Sequence, residues 1–357
     1  MLKTYKIQDI CVLEKGKQID TSLLDDNNPY QYINGGISAS GYYDKYNTKE
    51  NTIIVSEGGA SCGYVNFMTE KFWCGCHCYR LMEPKVKSEY LYYALKANQH
   101  GIMRLRSGCA MPNIKKSSFY NMQIKLDDNQ DNQIKVTSIL KKVTTLILKR
   151  KEQLTKIDFL AKSRFIEMFG DVESNPNNLE ISTLGRECLI VSGATPPTGK
   201  PEYWNGDIKW ITPAEIGESE YIISNTIRHI TQKGKDIAHL ELMPKGTILL
   251  SSRAPIGKLA ITNVEMTCNQ GFKNLIPKSR LTSIFLYYYL KGIIPQIQSM
   301  GRGATFKEIS KPIVSSIKIL VPHKREQVIF GSFIQRLDKS KFRMKKCLKM
   351  MSFIRHL

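Results

Sequence analysis

Two long stretches of this chain carry apolar side chains at a 3-4 spacing and almost no helix breakers. The first runs from about Asn129 to Phe169 without a glycine or proline, with Leu140, Val143, Ile147, Leu154, Ile157, Ala161 and Met168 on one stripe. The second runs from about Lys324 to Ser352, with Phe330, Ile334, Leu337, Met344, Leu348 and Met351 on its stripe and Gly331 as its one weak point. Such spacing predicts two long helices with coiled-coil seams, interrupted by Arg150, Arg164 and Lys341. A helix of ~40 residues is about 60 Å long at ~1.5 Å per residue, enough to act as a spacer, and two such helices in one chain predict antiparallel pairing. Gly170 stops the first, and Asp171-Val-Glu-Ser-Asn-Pro-Asn-Asn178 reads as a linker.

Elsewhere the pattern changes to short β-rich runs such as Thr52–Ser56, Thr247–Ser251 and Lys258–Thr262, punctuated by Gly, Asn and Pro. Helical segments follow near Glu89–Gln99 and Ser283–Ile293. These stretches repeat each other with a period near 195. Leu91-Tyr-Tyr-Ala-Leu-Lys96 recurs as Leu286-Tyr-Tyr-Tyr-Leu-Lys291, and Thr52-Ile-Ile-Val-Ser56 as Thr247-Ile-Leu-Leu-Ser251. Gly63, Cys74, Leu81, Gly108, Ile114, Lys116 and Ile124 match Gly257, Cys268, Leu275, Gly303, Ile309, Lys311 and Ile319. Further upstream the offset falls to about 178, where Tyr32-Ile33 pairs with Trp210-Ile211, so the second copy carries about 17 extra residues between Trp210 and Thr247. A collinear series of this kind is an internal duplication.

The 357 residues suit two domains of roughly 150 residues each. A hydrophobic fraction of 42% allows ordinary cores. Fifty-two Lys and Arg against 32 Asp and Glu leave a net charge of +20, which points to a polyanionic partner. No apolar run approaches the ~18–20 residues of a membrane span, and Met1–Asp9 lacks the apolar core of a signal peptide. These features predict a nucleic-acid-binding protein of the cytoplasm, with no membrane role. The nine cysteines are an odd number in a chain too large to need stapling, which favours free thiols in a reducing compartment. Trp73-Cys-Gly-Cys-His-Cys-Tyr79 lacks the C-x₂₋₄-C spacing and second ligand pair of a zinc site. Its cysteines alternate as the inward face of a strand would. No metal site is expected.

Strings that resemble catalytic motifs lack the required context. Gly59-Ala-Ser-Cys-Gly63 matches G-x-S-x-G, but β-like Tyr64–Phe67 follows where a nucleophile elbow needs a helix. Gly193-Ala-Thr-Pro-Pro-Thr-Gly-Lys200 resembles a phosphate loop, yet it has one residue too many between its glycines, and prolines block the nest. Asn28-Pro29-Tyr30 lacks the second proline of an amino-methyltransferase tetrapeptide, and no glycine-rich cofactor loop accompanies it. No catalytic residue is assigned.

What remains is basic, polar and placed in loops. Arg104, Arg106, Lys115 and Lys116 surround Gly108, and Arg302, Thr305, Lys307 and Lys311 surround Gly303. Arg253 and Lys258 flank Gly257, and Asn269-Gln270-Gly-Phe-Lys273-Asn274 offers amide and ammonium donors. Side chains of these types reach base edges or hold phosphates. The helices are basic too: nine Lys and Arg against four Asp and Glu over 129–169, and ten against two over 323–357.

Together, two variable domains each followed by a long helix, joined through Ser163-Arg-Phe-Ile-Glu-Met-Phe-Gly-Asp171, resemble the specificity subunit of a Type I restriction–modification system. Lys209-Trp-Ile-Thr-Pro213, Leu249-Leu-Ser-Ser-Arg-Ala-Pro-Ile-Gly257, Cys268-Asn-Gln-Gly-Phe-Lys-Asn274 and Gly303-Ala-Thr-Phe-Lys-Glu-Ile309 look like that family's second target-recognition domain. The first domain departs from the pattern, with Ser56-Glu-Gly-Gly-Ala-Ser-Cys-Gly63 in place of the basic loop. The resemblance implies an α+β fold, with two duplicated α/β target-recognition domains separated by two long antiparallel coiled-coil helices. The domains would be 1–126 and 180–322, the central spacer helix 127–170, the linker 171–179 and the C-terminal spacer helix 323–357.

It further implies a non-catalytic subunit that reads a split sequence in double-stranded DNA, one half per domain. Arg104, Arg106, Lys115, Lys116, Arg253, Lys258, Gln270, Lys273, Asn274, Arg302, Thr305 and Lys307 become its candidate DNA contacts. Leu140, Val143, Ile147, Leu154, Ile157, Ile334, Leu337, Met344 and Leu348 become its coiled-coil and docking positions. Two methyltransferase subunits and restriction/translocase subunits would be the partners, and S-adenosylmethionine, Mg and ATP would be bound on those chains. A self-contained modification or restriction enzyme and a basic RNA-binding scaffold remain alternatives.

Overall fold

A computed structural model describes residues 2–108, 112–171, 173–217, 221–301 and 308–356, with side chains up to residue 351. The chain divides into two units, 1–151 with 345–357, and 152–344. Each long helix is therefore shared between the two units.

In the first unit, β1 (Leu2–Lys6) leads through the short helix α1 (Ile7–Ile10) into β2 (Val12–Lys15), β3 (Tyr30–Ile33), β4 (Gly41–Tyr43), β5 (Thr52–Ser56), β6 (Val65–Met68), β7 (Phe72–Cys74) and β8 (Cys78–Met82). Helices α2 (Ser88–Ala97), α3 (Gln99–Met103) and α4 (Lys116–Tyr120) follow, then β9 (Gln123–Asp127). The main sheet has the order β2-β8-β5-β6 and is antiparallel. A second sheet, β4-β3-β7, pairs β3 with β7 in parallel. A ribbon of β1 against β9 closes the domain. Every residue of the β5 run Thr-Ile-Ile-Val-Ser is buried, as expected of a strand central to its sheet. Its Ile53 and Val55 pack with Leu81, Leu91, Leu95 and Phe119, while Ile54 turns to a smaller cluster with Ile33 and Phe72.

Helix α5 (Gln130–Phe169) is continuous over 40 residues. Gly170, at φ +67°, donates its N–H to the Ile166 carbonyl and ends the helix in the left-handed conformation that glycine adopts without a Cβ clash.

The second unit repeats the plan: β10 (Glu180–Thr183), α6 (Leu184–Glu187), β11 (Cys188–Ser192), β12 (Trp204–Ile211), β13 (Ile222–Ile223), β14 (Arg228–Ile230), α7 (Gln232–Ile237), β15 (Ile248–Leu250), β16 (Leu259–Thr262), β17 (Thr267–Cys268), β18 (Lys273–Pro277), α8 (Ser283–Gly292), α9 (Ile294–Ser299), α10 (Lys311–Ser316) and β19 (Lys318–Val321). The sheets are β11-β18-β15-β16-β13 and β14-β12-β17, with β12 parallel to β17, and β10 pairs with β19. Strand for strand this is the topology of the first unit, with β13 and α7 added. Helix α7 lies in the stretch where the second copy is longer. Thr231 caps it by accepting the Gly234 N–H at 3.1 Å.

Helix α11 (Lys324–His356) pairs antiparallel with the end of α5 inside this unit. Phe165 and Phe169 each contact Phe330 at 5.3 and 5.7 Å between ring centroids, and both contact Phe285 on α8. Further along, Lys341 bonds Asp158. The stripe read from the sequence is the face turned inward: Ile147, Ala161, Phe330 and Ile334 are buried, and Leu140, Val143, Leu154, Ile157, Leu337, Met344 and Leu348 are half-buried. Lys341 sits within the seam, where Asp158 offsets its charge. Arg164 reaches out of it to Glu167 at 2.8 Å.

Candidate nucleic-acid interface

The basic loops of each domain are stitched into one cluster by backbone hydrogen bonds, and the stitching is duplicated. In the first domain Lys17 N–H donates to the Cys74 carbonyl (2.8 Å), Gly75 to Ile33 (2.8 Å), Glu57 to His77 (2.8 Å) and Ile114 to Glu57 (2.9 Å). In the second, Ala194 donates to Cys268 (3.1 Å), Asn269 to Ile211 (3.0 Å), Ser252 to Gly271 (2.8 Å) and Ile309 to Ser252 (3.0 Å). The two sets equate Lys17 with Ala194, Gly75 with Asn269, His77 with Gly271 and Ile114 with Ile309. Gly16 and Gly193 precede the first of these positions. A Cβ on either would lie 2.3 Å from the carbonyl oxygen of Cys74 or of Cys268, so only glycine lets these loops meet.

The candidates in the second domain separate by what their side chains touch. Arg253 is exposed and pairs with Glu308 at 3.0 Å, and Lys273, more buried, reaches the same carboxylate at 3.4 Å. Glu308 thus holds two cations side by side, leaving Arg253 accessible to a polyanion. Gln270 stands exposed on a turn in which Asn269 Oδ1 accepts the Gly271 N–H, and its Oε1 accepts the Thr195 hydroxyl. Lys258 corrects the sequence reading. Its ammonium donates to the Pro213 and Ile216 carbonyls at 2.9 and 3.1 Å, so two of its three N–H groups are committed to tying two loops together. Asn274 is a second correction: it is fully buried, with Nδ2 donating to Cys268 Sγ at 2.9 Å, and it cannot reach a base edge. Polar type was legible in the sequence, but the inward phase of β18 was not. Arg302, Thr305 and Lys307 lie outside the described residues.

In the first domain Arg104, Lys115 and Lys116 are exposed, and Lys116 lies 5.3 Å from the centre of the Tyr120 ring. Arg106 is half-buried, with Nε bonded to the Cys62 carbonyl at 2.8 Å, which makes it largely a brace of the Gly59–Gly63 turn. That turn leads into a strand, β6, and not into a helix. Where the second domain has Ser252, the first has buried Glu57, salt-bridged to Lys15 at 2.6 Å and bonded by the Tyr79 hydroxyl at 2.9 Å. Burial and then the Glu57 carboxylate push the Tyr79 phenol up, so it stays protonated and donating.

Two groups were missed from sequence. Gln18 lies two residues after Gly16, as Thr195 lies two after Gly193, and the offset of 177 would have found it. Arg228 is exposed, with its guanidinium 3.6 Å from the Trp204 ring centre in a cation–π contact, a cross-strand neighbour visible only once β12 and β14 pair.

A scan against protein-family models matches residues 2–157 and 176–349 to the Type I restriction modification DNA specificity domain, once for each copy of the duplicated plan. The chain belongs to that family. It is similar to the specificity subunit of Type I restriction enzyme MjaIX of Methanocaldococcus jannaschii, with 37% identity over 185 residues, covering 50% of this chain and 43% of that one. It is also similar to the EcoprrI specificity subunit of Escherichia coli, with 33% identity over 111 residues, 30% of this chain and 27% of that one. The aligned segments thus span less than half the length of these relatives. Among solved structures, a Type I restriction–modification S subunit from M. genitalium superposes with a TM-score of 0.69 at 24% identity, covering 99% of this chain and 94% of that one. A chain from a type I restriction–modification complex structure superposes with a TM-score of 0.62 at 16% identity, covering 99% and 95%. These two likenesses concern the fold, and the specificity-domain fold extends along almost the whole chain.

The cysteine cluster of this family member also departs from the sequence reading. Cys74 ends β7, Cys78 begins β8, and a turn through Gly75–His77 separates them, so the three thiols do not share one strand face. Cys74 and Cys78 are buried and Cys76 is half-buried, bonded to Gln18. Among the described residues no group of three or more His, Cys, Asp or Glu could hold a metal, and no helix is long and apolar enough to cross a membrane.

Proposed function

We propose that the chain is the DNA-recognition subunit of a Type I restriction–modification complex, reading a bipartite duplex target with one half assigned to each domain. The observation that carries this is the duplicated loop cluster, which has the same backbone stitching but different side chains in the two copies. One scaffold presented twice with changed polar groups suits two related but unlike half-sites. The chain itself performs no chemistry in this reading. Two methyltransferase subunits supply S-adenosylmethionine-dependent adenine methylation, and restriction/translocase subunits use Mg and ATP. The helices α5 and α11 dock those partners and set the unread gap between half-sites. The exposed apolar side chains Phe159, Leu160, Ile166, Ile329 and Phe342 on these helices support the docking role.

Mapping methylated adenines in host DNA with and without this gene tests the proposal. The expected result is loss of one split motif. Retention of every motif would overturn it.

A further inference from the structure

The loop clusters contain a side-chain pair whose members exchange places between the copies. Because Lys17 equates with Ala194 and Gly75 with Asn269, Gln18 equates with Thr195 and Cys76 with Gln270. The pair is in contact in both domains: Cys76 Sγ lies 3.2 Å from Gln18 Oε1, and the Thr195 hydroxyl bonds Gln270 Oε1. Each domain therefore holds one exposed glutamine at this spot, oriented by a small hydroxyl or thiol from the facing loop. In the first copy the glutamine comes from the loop after β2, and in the second from the loop after β17.

We propose that this swapped pair is a base-reading position in each recognition domain, with Gln270 and Gln18 as the specificity-determining side chains. The inference rests on the DNA-recognition reading above. A neutral amide adds little to phosphate attraction, but it combines donor and acceptor in the plane that a base edge presents. The two amides are not equivalent. Gln270 Oε1 accepts only from Thr195, which leaves one acceptor site and an NH₂ group without a partner among the described residues. That set matches adenine, whose N6–H donates and whose N7 accepts in the major groove. Gln18 Oε1 already accepts from Cys76 and, at 3.0 Å, from Asn34, and its Nε2 donates to the Ile19 carbonyl at 3.1 Å. The remaining N–H lies near the Tyr32 hydroxyl, so Gln18 has one donor at most to offer an acceptor such as a purine N7 and is the more constrained of the two glutamines. The neighbouring Arg253, held through Ser252 against the Gln270 turn, supplies the backbone attraction that a neutral amide lacks.

The test selects binders from a duplex DNA pool randomised across the target, using the full chain assembled with its methyltransferase subunits. With Gln270→Leu, preference at one base pair of one half-site should fall by roughly ten- to hundredfold while the other half-site is untouched. Gln18→Leu should do the same in the opposite half. Thr195→Val, which keeps the shape and removes the orienting hydroxyl, should weaken preference at the Gln270 position alone. Placing 7-deazaadenine at that position should weaken the unsubstituted protein and leave Gln270→Leu unaffected. Unchanged preferences at every position, or an equal loss for all sequences, would overturn the assignment. If the unsubstituted complex enriches no split sequence, the recognition reading fails first, and this inference with it.

Discussion

The Gln327 side chain accepts the backbone N–H of Thr282, the residue that caps α8, at 2.8 Å. Its Nε2 donates to the Arg280 and Pro322 carbonyls, both at 2.9 Å, and the residue is fully buried. Gln133 repeats the arrangement. It accepts from Lys87 N, at the cap of α2, at 3.3 Å, and donates to the Asp127 carbonyl at 2.8 Å. Both glutamines are the fourth residue of a long helix, so each helix is latched to its own domain by one amide that satisfies a helix N-terminus and a strand end together.

Gln327→Ala is expected to cost about 2 kcal/mol, because three backbone groups lose their partner, the Pro322 carbonyl fully buried and the other two part-buried, and Gln133→Ala less, since it makes two such bonds. Urea denaturation checks this. A smaller loss for Gln327 than for Gln133 would show that the latch is not what holds α11.

Arg253→Ala should weaken all duplex sequences alike and lower the salt slope of binding by about one, as loss of a phosphate-facing cation does. Lys258→Ala should leave the salt slope unchanged and lower thermal stability, because its ammonium serves two carbonyls. Titrations at several salt concentrations, with melting curves, separate the two.

Burial raises the thiols of Cys11, Cys188 and Cys268 from 9.0 to about 12. A raised thiol pKa favours the neutral form in the folded state. The stability it contributes is complete below about pH 9 and declines as the pH climbs towards 12. At pH 8, alkylation should label half-buried Cys76 and Cys347 well before these three, as read by peptide mass mapping. Early labelling of Cys268 would contradict its burial.

Exchanging residues 180–322 for the same region of a relative should change one half-site only. Methylation mapping reads the outcome. A simultaneous change in both halves would show that the domains do not read independently.

Inserting seven residues near Lys149–Gln153 keeps the α5 stripe in phase, provided a matching insertion is made near Lys341 in α11. The added length is about 10 Å, roughly three base pairs. The expected target has unchanged half-sites and a wider gap. An unchanged gap in an active complex would assign the spacing to the partner subunits.

The sequence by itself determined the duplication, the α+β class and the two long helices, because these rest on local signals: period, glycine and proline placement, and collinear repeats. The Leu140–Met168 stripe emerged as the inward face for that reason. Tertiary structure alone decided which polar loop residues are available. Asn274 and Gln270 lie four residues apart in one polar run, yet strand β18 turns the first into the core and a tight turn lifts the second into solvent. Lys258 reads as a free cation until the chain near Pro213 arrives beneath it. The repeat offset places Gln18 opposite Thr195, but its contact with Cys76, on a loop nearly sixty residues away, forms only across the Lys17–Cys74 hydrogen bond. Burial and hydrogen-bond partnership are properties of the assembled loops, which no spacing along the chain encodes.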